Sequence, residues 1–103
     1  MSNPALTEAV YYILLSLVEP MHGYGIMQNV EQLSGGRVKL AAGTLYGAIN
    51  TLLERGWVTA VSGEKDSRKK EYLITAQGKE ALQGELARLR ELLENGNRIM
   101  EGN

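Results

Sequence analysis

Cysteine is absent from the 103 residues, so disulfides, thiolate metal sites and a cysteine nucleophile are excluded together. That absence also fits a reducing compartment. One histidine, His22, and one aspartate, Asp66, are too few to assemble a nucleophile, a base and a group that orients the base. His22, beside Gly-Tyr-Gly where a helix begins, reads as a capping or packing residue. No glycine-rich phosphate loop with its lysine occurs, and HGYGIM does not follow a predicted strand. Catalysis therefore falls away as a function class, and no cofactor or metal site is expected. The longest apolar run, Val10–Val18, is nine residues interrupted by Ser16, whereas a membrane-spanning helix needs about 20. The N-terminal MSNPALTEAVYY has no basic region and carries Glu8, unlike a signal peptide. These absences predict a cytoplasmic protein without a membrane partner.

A strong excess of positive charge is missing too. The net charge is −1, where strong phosphate binders are usually basic. The distribution is more informative. Residues 57–78 carry four basic and three acidic groups, with Arg68, Lys69 and Lys70 contiguous. Any nucleic-acid contact must come from a small local patch. With 44% hydrophobic and 22% charged residues, the chain has ordinary globular composition and is sized for one domain. No internal repeat or low-complexity segment is visible.

Periodicity supplies the elements. Asn3 and Pro4 predict a helix start, and Leu6, Val10, Ile13, Leu14 and Leu17 form its stripe before Pro20 stops it. A second helix is predicted over MHGYGIMQNVEQL, with Ile26, Val30 and Leu33 inward and Gly35-Gly36 ending it. Gly23 and Gly25 at its start would admit another backbone. RVKL reads as an extended link. A third helix is predicted over Ala42–Arg55, with Gly56 as its stop. WVTAVSG and KKEYLIT around a polar turn read as a hairpin. Thr75 then caps a last helix whose Leu82, Leu86, Leu89, Leu93 and Met100 form a coiled-coil-like seam. Three helices, a hairpin and a final helix give a mainly α fold. Its layout is a winged helix-turn-helix over 1–76 followed by a dimerisation helix over 77–103, in one compact unit.

The third helix carries the functional signal. At ~100° per residue, Leu45, Ala48, Ile49, Leu52 and Leu53 cluster on one side. Thr44, Gly47, Asn50, Thr51 and Glu54 lie opposite, with Tyr46 on the flank next to Asn50. A helix that reads the DNA major groove presents such side chains, mostly from its N-terminal turns. Gly47 would let it come close. Tyr46 suits either a contact at the rim or a brace against a neighbouring element, and spacing does not separate the two. Lys65, Arg68, Lys69 and Lys70 at the hairpin tip can grip the sugar–phosphate backbone, although Glu64, Asp66 and Glu71 also suit a solvated turn. A second reading therefore stands beside DNA binding: a winged-helix module for protein contact, with Tyr46 as an interface anchor.

HGYGI at 22–26, GTLYGAINTLLERGWV at 43–58 and RKKEYLITAQGKEAL at 68–82 together resemble the PadR family of bacterial transcriptional regulators. With one helix after the wing, the chain is similar to the family's compact subgroup. The resemblance implies a winged helix that dimerises through its C-terminal helix. It implies a repressor on an inverted-repeat operator in double-stranded DNA, released by a small-molecule effector or a stress signal. Carried onto this chain, it assigns DNA contacts to Thr44, Tyr46, Asn50, Arg68, Lys69 and Lys70, with Lys65 beside them. It assigns the dimer seam to the leucines and Met100 of the last helix. Two departures stand out. Gly47 replaces the proline or basic residue that many relatives place after the tyrosine. Residues 79–103 hold no aromatic, so the stacking of flat ligands on a tryptophan of the last helix, used by some relatives, is not expected here.

Overall fold

The computed structural model describes residues 5–61 and 70–102. Its elements are α1 (Glu8–Ser16), β1 (Met21–His22), α2 (Gly23–Leu33), α3 (Ala42–Arg55), β2 (Val58–Ala60), β3 (Glu71–Ile74) and α4 (Ala76–Met100).

Helix α1 begins later than the Asn3–Pro4 signal implies, and those two residues lie outside the described ones. Thr7 is the cap. Its backbone is extended, and its Oγ1 accepts from the Val10 N–H at 3.2 Å, which satisfies a donor that no earlier turn can take. RVKL is an irregular link and holds no strand. At the other end of the motif, α3 has the bounds read from its periodicity. Gly56, in the left-handed conformation with φ 77°, closes it. The Trp57 N–H then reaches back to Leu52 O and the Gly56 N–H to Leu53 O, each at 3.0 Å, which satisfies two of its last carbonyls.

The sheet has three antiparallel strands in the order β1-β3-β2. The hairpin β2–β3 follows the sequence reading. Strand β1 does not: the helix predicted from Met21 begins at Gly23, and Met21 pairs with Tyr72 and His22 with Glu71. His22 still caps α2, its Nδ1 accepting from the Gly25 N–H at 3.0 Å. The Ile74 N–H also donates to Leu17 O at 2.7 Å, fastening β3 to the end of α1. Strand β3 is thus central, held by β2 on one edge and by the start of the helix pair on the other.

Ile13, Leu14 and Leu17 of α1 and its end meet Ile26 and Val30 of α2 and Leu45, Ile49 and Leu52 of α3 in one core, closed by Val58, Tyr72 and Ile74 of the sheet. Truncating one of these fully buried side chains to alanine costs about 2–5 kcal/mol. Helix α4 divides into a root packed on the body and an exposed remainder. Gly78, Ala81, Leu82 and Glu85 are buried against the body. From Leu89 to Gly102 every residue is exposed. At ~1.5 Å per residue the 25-residue α4 runs well past the body, and the molecule is 59 Å in its longest dimension.

Candidate nucleic-acid interface

The core positions of α3 decide its outward face. With Leu45, Ile49 and Leu52 buried, Thr44, Gly47, Asn50, Thr51 and Glu54 are all exposed. A Cβ added at Gly43 or Gly47 would meet nothing within 4 Å, so the first two turns present a smooth, small-residue surface. Thr51 Oγ1 donates to Gly47 O at 3.2 Å, which occupies its proton. Among the described residues, the Thr44 and Asn50 side chains have no hydrogen-bond partner, so both have their polar atoms available to a ligand. The N-cap Ala41 offers α3 no side-chain acceptor, leaving its first N–H groups open as well.

Tyr46 is the hinge of this face. Its ring lies across Gly23 at the start of α2: a Cβ at Gly23 would sit 2.7 Å from Tyr46 Cζ and closer still to the hydroxyl. The small residue at 23 therefore admits a side chain rather than the backbone expected from the sequence. Tyr46 also stands near Tyr72 of β3, whose hydroxyl pKa is pushed up first by burial and then by Tyr46. Bracing, one of two roles open from spacing, is thus what the ring does. At 41% exposure its outer edge still faces the surface.

That contact places the first turn of α2 at the rim of the α3 face. Tyr24 there is 65% exposed, and its hydroxyl accepts from Gln28 Nε2 at 3.3 Å, one turn on. Neither residue was singled out from the sequence. The i,i+4 polar pair on the outward side of α2 was the available signal, but only the Tyr46–Gly23 contact shows which face it borders.

Of the hairpin residues, Lys70 is exposed at the foot of β3, and the Val61 N–H extends the ladder to Glu71 O at 3.0 Å. Lys65, Arg68 and Lys69 lie outside the described residues. On α4 the seam divides. Leu82 is packed in the protomer's own core at 5% exposure, so it has little surface left for a partner. Leu86, Leu89, Leu93 and Met100 are exposed, Met100 by 84%, and Leu92 and Ile99 widen the ridge on one side. At the root of the ridge, Glu85 accepts from Arg88 Nε at 2.8 Å and Nη2 at 2.6 Å, and from the Leu6 N–H at 3.4 Å. The guanidinium bonds hold the Glu85 carboxyl below the usual carboxylate range against the opposing effect of burial. Among the described residues no helix is long and apolar enough to cross a membrane.

The transcriptional regulator PadR-like family matches residues 12–84, from within α1 to the first turns of α4. Among solved structures, a PadR family transcriptional regulator from Eggerthella lenta is 25% identical and superposes with a TM-score of 0.71, covering 91% of this chain and 82% of that one. A PadR-like transcription factor from Bacteroides fragilis is 27% identical at a TM-score of 0.68, covering 88% and 87%. A 37.1 kDa protein of a Streptomyces fradiae transposon is 35% identical over 79 residues. The match takes in 76% of this chain but only 22% of that relative's length.

Proposed function

The chain belongs to the PadR-like family of transcriptional regulators, and from that membership we propose that it is a sequence-specific DNA-binding repressor acting as a homodimer on an inverted-repeat operator. The observation that carries the reading is the outward face of α3: small, uncharged at its N-terminal turns, and backed by a fully buried row of leucine and isoleucine. The major groove, about 12 Å wide, admits a helix of this kind. Gly47 lets the backbone sit deep, Asn50 reads a base edge and Thr44 a base or phosphate. Tyr46 holds the helix at its angle and touches the duplex from the rim. Lys70, with Arg68, Lys69 and Lys65 of the hairpin tip, grips phosphates and so sets register without reading sequence.

Residues 1–76 serve as the DNA-binding part and 77–103 as the dimerisation helix. Support for the dimer is the exposed ridge Leu86, Leu89, Leu93 and Met100, since a soluble chain rarely leaves so continuous an apolar stripe in water. A dimer also doubles the few phosphate contacts that a protomer of net charge −1 can make. The repressor acts in the cytoplasm and is released by a small-molecule effector or a stress signal.

Two variants separate this reading from a protein-contact module. Asn50→Ala should cut discrimination at one operator position by about tenfold or more, in line with ~1–3 kcal/mol per base contact. Neutralising Arg68, Lys69 and Lys70 should instead weaken all duplexes alike and flatten the salt dependence. If neither change alters binding to any duplex, the module reading replaces this one.

A further inference from the structure

Helices α3 and α4 are joined in sequence by the whole hairpin, yet the two residues that follow α3 are bonded to the cap of α4. Immediately after α3 closes, the carbonyls of Gly56 and Trp57 point at the cap of α4. Thr75 Oγ1 donates to Gly56 O at 2.6 Å, and the Thr75 N–H donates to Trp57 O at 2.9 Å. The same hydroxyl accepts from the Gly78 N–H at 3.1 Å, so one side chain caps α4 and clamps it to α3. Gly78 completes the joint by close approach. A Cβ there would lie 3.1 Å from the Trp57 carbonyl carbon, nearer still to its oxygen, and 2.6 Å from Ile74 Cγ1.

Resting on the dimeric DNA-binding reading above, we infer that this joint is the specificity-determining element for operator spacing. It sets the direction in which α4 leaves the body, and α4 carries the ridge that meets the partner. The separation of the two α3 helices in the dimer is then fixed by Thr75 and Gly78, both positioning residues that touch no DNA. Beyond the joint, α4 is held by Ala81, Leu82 and Glu85, with Glu85 bonded to Leu6 of the segment before α1. Glu85, the last of these contacts, serves as a fulcrum about 10 Å from Gly78, and Met100 lies about 22 Å further on, at ~1.5 Å per residue. A displacement of about 1 Å at Gly78 moves the far end by about 2 Å. Doubled by two-fold symmetry, this is on the order of one base-pair rise of 3.4 Å.

The chain has no cysteine, so a spin label at Glu54→Cys reports one distance, between the two α3 helices of a dimer. Double electron–electron resonance on the full chain should give a narrow distribution. Gly78→Ala should shift its centre by several ångströms, and Thr75→Val, which keeps the side-chain volume but removes both hydroxyl bonds, should broaden it. Thr75→Ser should restore it. Selection from a randomised duplex should then return the same half-sites at a separation changed by about one base pair for Gly78→Ala. An unmoved distance in folded, dimeric Gly78→Ala and Thr75→Val proteins overturns the inference alone. Absence of any inter-spin coupling in the otherwise unaltered chain removes the dimer, and the inference with it.

Discussion

Replacing Gly23 with alanine tests whether Tyr46 braces the helix pair. Gly23 does not have a positive φ, so alanine suits its backbone and, judged as helix propensity alone, favours α2 by about 0.5–1 kcal/mol. The new methyl, however, would stand 2.7 Å from Tyr46 Cζ, well inside van der Waals contact, and the ring must swing out. Tyr46 is 41% exposed in place. Swinging out gives up roughly 100 Å² of buried ring, about 2.5 kcal/mol at ~25 cal/mol per Å². The net cost of Gly23→Ala is therefore about 1–2 kcal/mol. In a Tyr46→Ala background the clash has no partner, and the same substitution becomes neutral or stabilises by up to about 1 kcal/mol. The coupling energy across the cycle is about 2.5 kcal/mol. Urea unfolding followed through Trp57 fluorescence, at one protein concentration, measures all four corners. An equal cost of Gly23→Ala in both backgrounds would refute the brace.

Placing glutamate at both Leu86 and Leu93 should give monomers by light scattering, since each charge would be buried in the ridge contact; a surviving dimer would put the interface elsewhere. Glu85→Gln should destabilise the chain at neutral pH in a pH-dependent way. The folded-state pKa of Glu85 is lowered, mainly by Arg88. Its contribution is complete above its ordinary value of 4.5 and is lost as pH falls through the folded value. The gap in urea midpoint between the unaltered chain and the variant should therefore narrow as pH falls below that ordinary value, and a gap unchanged by acid would contradict the pairing.

Local signals made much of this fold legible. Gly56 and the row Leu45, Ile49 and Leu52 delimit α3 without help from tertiary contacts, and the Thr75 cap is equally local. The split between a buried row and a small polar face on α3 follows from helical period alone. What escaped depends on partners distant in sequence. Strand β1 is two residues whose only strand character comes from pairing with Tyr72 and Glu71. The start of α1 passed from Asn3 to Thr7 because capping propensity cannot choose between two good caps four residues apart. Leu82 lies on the same seam as Leu86, and periodicity cannot tell that the body ends between them. Tyr46 was ambiguous for the same reason: its brace is made against Gly23, a residue with no side chain to announce the contact. Tyr24 and Gln28 became candidates only once that contact placed α2 at the rim of the α3 face.

The most direct measurement is a footprint on the duplex just upstream of the chain's own gene, with purified full-length protein at low salt. The account predicts two protected half-sites of inverted sequence about one helical turn apart, ~34–36 Å centre to centre, with protection lost as salt is raised. Protection of no segment at low salt, on this duplex or on other promoter fragments, would contradict it.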